Sequence, residues 1–229
     1  MYLYGDNYDP VFNQISSHMP RKILIAGILI SACILLPMGT THSQTGQKTP
    51  NALRYGNQTD LGIAFGVGKF KTDIVNGVQK SVKNDEFVIT FQTINGIRYK
   101  ERLFLGVGIG AELWQNGLFF PLFGHLSFDI QPKENTFFAA LNLGNSFGNR
   151  YATSFYAKGK GAFMAVIGIG YKQKVAPRLK FIYELYYKYQ AINSTYIIST
   201  VTDSTQVDSD PMDYKVPNHF IGFRIGISF

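Results

Sequence analysis

Cysteine is almost missing from this 229-residue chain: Cys33 is the only one. It sits inside an apolar amino-terminal run, so a chain cut downstream of it carries no thiol. Disulfides and thiolate catalysis are then excluded. Sustained helical periodicity is missing after residue 44, which argues against a helical bundle. The glycine-rich segments alternate within strands and precede no helix, so they do not read as phosphate loops. The formal charge is +7, yet lysines and arginines scatter among strand ends and turns. Without a basic stripe the excess does not point to nucleic acid. It fits solubility and contact with anionic lipid headgroups.

What is present begins with a leader. Met19-Pro20-Arg21-Lys22 is basic, Ile23 to Leu36 is apolar with only Gly27 and Ser31 interrupting, and Thr41-His42-Ser43 offers small residues at −3 and −1. These are the three regions of a secretory signal, with cleavage expected after Ser43. Residues 1–18 are polar and without period, which fits a mis-called start with Met19 as initiator. Ile30-Ser31-Ala32-Cys33 also fits a lipobox, the alternative to the cut at 43, although the apolar run continues through Ile34-Leu35-Leu36. A membrane-spanning helix is the other alternative, and the run is short for one. The expected order is then extension 1–18, signal 19–43, a periplasmic lead-in 44–57 and a single domain 58–229.

Within that domain apolar residues alternate with small or polar ones, the mark of strands with two unlike faces. Eight strands are expected, at about 59–72, 86–98, 102–114, 118–130, 136–147, 161–173, 178–192 and 217–229. Each is long enough for a tilted crossing of hydrocarbon. Tyr99-Lys100-Glu101, Gln131 to Asn135 and Lys174 to Pro177 read as tight turns. Residues 71–85, 147–160 and 193–216 read as long loops, and 115–117 as a short connection. Short turns on one side and long loops on the other describe an outer-membrane barrel.

The two faces differ in kind. Leu61, Ile63, Phe65 and Val67 oppose Gly62, Ala64, Gly66 and Gly68. Leu103, Leu105, Val107 and Ile109 oppose Gly106, Gly108 and Gly110, and Phe163, Ile167 and Ile169 oppose Gly168 and Gly170. Glycine weakens a strand interior, so its recurrence on one face implies crowding around a narrow axis. Thr90, Gln92, His125, Ser127, Asp129, Asn142, Lys180, Glu184, Lys188 and Arg224 share that inward face. Charge facing lipid costs several kcal/mol at mid-depth. Oil outward and charge inward is therefore the expected partition, with a lumen ion network of Glu184, Arg224, Lys180 and Lys188. Counting from the ends of the last two strands sets Glu184 level with Arg224. Tyr183, Tyr186, Tyr187, Tyr189, Trp114, Phe119-Phe120, Phe137-Phe138 and Phe229 are expected in interfacial girdles.

The chain ends on Phe220 to Phe229, apolar at 221, 223, 225, 227 and 229. A soluble protein rarely finishes on such an edge, whereas a closed barrel has none. This ending resembles the terminal strand of bacterial outer-membrane barrels. The resemblance implies that Phe223, Ile225, Ile227 and Phe229 form the signal read by the outer-membrane assembly machinery. Thr93 to Tyr99 with Phe104 to Gly110, Phe120-Pro121-Leu122-Phe123 and Ala139 to Gly144 resemble strands of small eight-stranded barrels of Bacteroidetes-type bacteria (OmpX-, OmpW- or PorT-like). The resemblance covers most of 59–229 and implies an all-β, up-and-down transmembrane barrel in the bacterial outer membrane. Lipids and lipopolysaccharide would be its surroundings, and loops 148–160 and 193–216 would face an extracellular partner.

Fold does not settle activity. Presentation of surface loops without catalysis leads. A narrow passive channel for small or apolar solutes stands beside it if the inward glycines leave a cavity. A lipid A-modifying acyl hydrolase or transferase is the third reading, because His125, Ser127 and Asp129 share one strand face. Same-face neighbours lie about 6–7 Å apart, too far for direct contact, so lumen filling competes with catalysis there. Asp203, Asp208, Asp210 and Asp213 lack the glycine turn of calcium loops, and no metal or cofactor is expected. Tyr196-Ile197-Ile198 extends the seventh strand and offers a rim for strand addition.

Overall fold

In the computed structural model the described residues are 53–75, 78–150, 159–196, 199–202, 205–208 and 212–229. The expected extension 1–18, the signal 19–43 with Cys33, lead-in residues 44–52, loop residues 151–158, Ile197-Ile198, Asp203 and Asp210 lie outside them.

Alternation produces twelve strands: β1 (Arg54–Val67), β2 (Lys69–Val75), β3 (Val78–Lys83), β4 (Phe87–Tyr99), β5 (Leu103–Trp114), β6 (Gly117–Asp129), β7 (Thr136–Arg150), β8 (Gly159–Ala176), β9 (Leu179–Tyr196), β10 (Ser199–Thr202), β11 (Thr205–Asp208) and β12 (Met212–Ser228). Eight of them close into an antiparallel barrel in the order β1-β12-β9-β8-β7-β6-β5-β4, while β2–β3 and β10–β11 are separate two-stranded sheets.

Several boundaries differ from the sequence expectation, three of them with a clear cause. Residues 54–57, expected in the lead-in, are strand, because they pair with the end of β4 from Arg54↔Arg98 to Asn57↔Asn95. Asn57 also exchanges backbone hydrogen bonds with Phe229, at 3.3 and 3.0 Å. The first and third long loops each contain a hairpin, and Asp208 and Asp213 belong to β11 and β12 rather than to irregular loop. β9 reaches Tyr196 and β12 starts at Met212, well beyond 192 and 217, because their ladder runs unbroken from Met212↔Tyr196 to Ser228↔Lys180.

One end of the barrel gathers both termini of the sheet and the turns at 100–102, 130–135 and 177–178. The first of these has positive φ at both Lys100 (49°) and Glu101 (59°), the type I′ geometry that matches strand twist. The opposite end carries the two extra hairpins, the last residues of β7 and the first of β8. We refer to these as the terminus end and the loop end.

The ladder from Asn57 runs through Asn95, Val107, Gly124, Leu143, Ala165, Tyr189 and His219, and returns on Val67. Closure therefore climbs ten residues over eight strands, which corresponds to a strand tilt of about 40°. The 18-residue β8 and β9 then rise about 45 Å along the axis, well beyond the ~25 Å apolar band of such barrels.

The exterior is apolar all round. Leu61, Ile63, Phe65, Leu105, Val107, Ile109, Leu122, Leu126, Phe128, Ile167, Ile169, Leu185, Ile221, Phe223 and Ile225 are all exposed there. A continuous oily surface of this kind needs lipid around it. The architecture is that of an outer-membrane barrel.

Candidate functional site

The lumen is where this chain concentrates its chemistry, and strict alternation puts it there. Asp60, Thr90, Gln92, Glu112, His125, Ser127, Asp129, Asn142, Arg150, Lys172, Glu184, Lys188 and Arg224 are all buried on inward faces, and Lys180 is half-buried at the terminus end.

Near mid-height Arg224 and Glu184 are direct partners in the β9–β12 ladder. Arg224 Nε donates to Glu184 Oε2 at 2.9 Å and its Nη2 to Oε1 at 2.6 Å, a bidentate fork of the strong, geometry-specific kind. The guanidinium lies 4.9 Å from the Tyr186 ring centroid. Asp60, on the neighbouring β1, accepts from Gln92 Nε2 at 2.9 Å and from Gln58 Nε2 at 3.0 and 3.1 Å.

Toward the loop end Lys188 joins Glu112 rather than Glu184. The two strands are diametrically opposed in the barrel order, so this pair bridges the axis. Trp114 Nε1 donates to the same carboxylate at 3.2 Å. The Trp114 ring packs against Phe119 and Phe220 with centroids 4.8 and 4.9 Å away, and Arg150 lies over it at 5.3 Å. Arg150 Nη2 also donates to Asn218 at 3.0 Å and stands 3.6 Å from Glu86. Glu86 precedes β4, outside the strands, and burial pushes its carboxyl above the ordinary range against the pull of Arg150.

At the terminus end Asp129 accepts from Lys172 Nζ at 2.5 Å and from Arg98 Nη1 at 2.9 Å. Lys172 lies 4.5 Å from the Phe138 centroid and Arg98 5.4 Å from that of Phe104.

The inward glycines leave little space in this packing. A Cβ on Gly168 would strike the Glu184 carboxylate, one on Gly108 the Phe123 ring, and one on Gly222 the Tyr186 ring. On Gly62 it would lie 2.7 Å from Arg224 Cβ. Glycine on one strand makes room for bulk on the next, which is how a narrow barrel reaches interior density. A groove of about 310 Å³ does occur, but on the lipid-facing side, between Leu61, Phe91, Phe181, Tyr183, Ile225 and Ile227.

His125, Ser127 and Asp129 do share the inward face of β6, but each goes its own way. His125 Nδ1 hydrogen-bonds Asn142 Oδ1 at 2.6 Å. Ser127 Oγ is buried without a hydrogen-bond partner, and Asp129 is held by the two cations. Among the described residues no group of three or more His, Cys, Asp or Glu side chains is placed to hold a metal.

The aromatic girdle is only half as expected. Phe120, Phe137, Tyr183, Tyr187 and Phe229 do face outward, but Trp114, Phe119, Phe138 and Tyr186 are buried in the lumen. The reason is the period of two: consecutive aromatics in a strand must fall on opposite faces. Phe223, Ile225 and Phe229 of the terminal strand are exposed on the outer side and Ile227 is half-exposed there.

Asp60, Arg98, Glu112, Arg150 and Lys172 escaped the sequence reading. Parity would have found most of them: Asp60 is in step with Gly62, Glu112 with Gly110, and Lys172 with Gly170.

No family model matches the chain, and no curated protein matches it. Among solved structures it is similar to Neisserial surface protein A at 10% identity, with a TM-score of 0.45 over 78% of this chain and 99% of that one. It is similar to outer membrane protein AlkL in lipid bilayers at 9% identity, with a TM-score of 0.49 over 85% and 96%. Outer membrane protein OprG from Pseudomonas aeruginosa matches at 10% identity, with a TM-score of 0.37 over 76% and 95%.

Proposed function

We infer that this chain is a sealed barrel of the bacterial outer membrane that presents its loop end to the cell exterior, in a structural or interaction role without catalysis. The observation that carries this reading is the filled lumen. The Arg224–Glu184 fork, the Lys188–Glu112 bridge across the axis and the Trp114–Phe119–Phe220 stack occupy successive heights of the interior. A protein shaped for passage would leave its axis open.

The loop end supports the same view. β8, β9 and β12 outreach the hydrocarbon band, and the β2–β3 and β10–β11 hairpins lie at that end. The described residues of segments 148–160 and 193–216 lie toward that end, and an extracellular partner would meet these segments. The outward residues Phe223, Ile225, Ile227 and Phe229 would be read by the assembly machinery during insertion. Lipopolysaccharide would surround the rim.

The acyl-enzyme reading is weakened by geometry. Ser127 makes no hydrogen bond to His125, and Asp129 is committed to Lys172 and Arg98. A nucleophile needs a base within hydrogen-bond reach. The channel reading is weakened because the glycine faces are crowded by large neighbours.

Planar-bilayer recording tests the proposal. Purified, folded protein is expected to give no conductance steps above the bare bilayer. Reproducible steps, abolished by heat-unfolding the sample first, would establish a channel instead.

A further inference from the structure

The terminus-end mouth holds more positive charge than its acids neutralise. Asp129 is shared by Lys172 and Arg98. Beside it Lys180 faces the same mouth, half-buried, with no ion-pair or hydrogen-bond partner among the described residues. Arg98 and Lys180 are both electrostatic neighbours of Lys172. The other acids of this rim have cations of their own: Glu101 is 3.4 Å from Arg54, and Glu134 pairs with Lys174. Among these interacting side chains the cations Arg54, Arg98, Lys172, Lys174 and Lys180 outnumber the carboxylates Glu101, Asp129 and Glu134.

That surplus is arranged for contact. The Arg98 side chain is 16% exposed while Asp129 beneath it is 1% exposed, so the guanidinium bonds inward and still reaches solvent. Arginine has five donors in a fork, and one contact to Asp129 leaves the remainder for a second planar or tetrahedral anion. Ser127 Oγ, two residues from Asp129 on the same face, is fully buried and unpaired. A buried hydroxyl left without a partner, one same-face step from the carboxylate that two cations share, is a costly arrangement unless something takes it.

We propose that Arg98, Lys172, Lys180 and Ser127 form a binding site for a phosphate-class anion at the terminus-end mouth of the barrel. The ligand is a phosphoryl group carrying one or two charges, supplied either by a phospholipid headgroup of the adjoining leaflet or by a soluble phosphate. This site lies at the opposite end from the loops and goes beyond the surface-presentation reading.

The test is equilibrium binding to the folded full-length protein in non-ionic detergent, with two probes: inorganic phosphate and a short-chain phosphatidylglycerol. Lys180→Gln and Arg98→Gln are expected to weaken binding by roughly tenfold each, the scale of one charge-assisted hydrogen bond. Lys180 has no partner to orphan, so its variant is expected to fold normally. Lys215→Gln, exposed at the loop end, is expected to bind as the parent does. Uptake of both probes points to soluble phosphate as a ligand, and uptake of the lipid alone points to the headgroup; both support the site. Absence of binding for both probes, or binding indifferent to Lys180→Gln and Arg98→Gln, overturns it.

Discussion

Replacing Arg224 by methionine removes one half of the bidentate pair and leaves the other half where it was. Glu184 is fully buried, and the Arg224 side chain is 4% exposed. Water has little room to enter: a methyl on Gly168 already collides with the Glu184 carboxylate, and one on Gly62, beside Arg224 in the ladder, collides with Arg224 Cβ and Thr90 Oγ1. Asp60 also lies within the electrostatic reach of Arg224, so the substitution strands Glu184 and takes a nearby cation from Asp60, which keeps only its Gln58 and Gln92 donors. Breaking a buried pair by deleting one partner costs about 3–5 kcal/mol, and this site belongs at the upper end. That is two to three and a half decades in the folding equilibrium constant. With a slope of about 2 kcal/mol per molar, the urea midpoint falls by roughly 2 M. Reversible urea unfolding in micelles, followed by band shift on unheated gels, reads this directly. Glu184→Gln keeps an acceptor and leaves Arg224 beside Asp60, so its loss is smaller. Arg224→Met combined with Glu184→Leu removes both charges and recovers most of the midpoint, because an apolar pair of similar volume is often as stable as a buried ion pair. An unchanged midpoint in Arg224→Met would refute the reasoning.

Three further outcomes follow from the same packing. Trp114, the sole tryptophan, is expected to resist quenching by brominated lipid chains because it is buried in the lumen; strong quenching would return it to the lipid interface. Gly168→Ala is expected to lower the unfolding midpoint by about 1–3 kcal/mol equivalents, the usual cost of overpacking, and a neutral result would mean that the interior yields. The Glu86 carboxyl has a raised pKa in the folded state, so the folded protein binds more protons than the unfolded one between the two pKa values. Its contribution therefore gains stability as pH falls through the folded value and levels off below the unfolded one. Glu86→Gln should remove that pH-dependent component from the urea midpoints; an identical pH profile in the variant would discount burial at Glu86.

The sequence makes the wall of this barrel plain and its contents less so. Period-two alternation through Leu61 to Val67 and Leu103 to Leu113 assigns faces without ambiguity, because one slip would turn every aliphatic side chain inward. Neighbouring strands can be aligned by counting from a turn or a terminus, which sets Glu184 level with Arg224. Counting fails across the axis. The Lys188–Glu112 contact depends on the ten-residue climb of the closed ladder, a global quantity absent from any local stretch. Trp114, Phe119, Phe138 and Tyr186 are legible by parity alone, but interfacial preference for aromatics pulls the other way. The hairpins in 69–83 and 199–208 were hidden by polar composition, since strands standing clear of lipid carry no oily face to betray them.

The diametric placement of Lys188 and Glu112 has a consequence for how the molecule comes into being. Neither residue can meet its counterpart while the sheet is still an open ribbon. A half-rolled intermediate would carry naked ammonium and carboxylate groups against hydrocarbon, so insertion by stages is penalised and the final joining of β1 to β12 completes wall and contents together. Such a molecule is built to be either absent from the bilayer or finished within it.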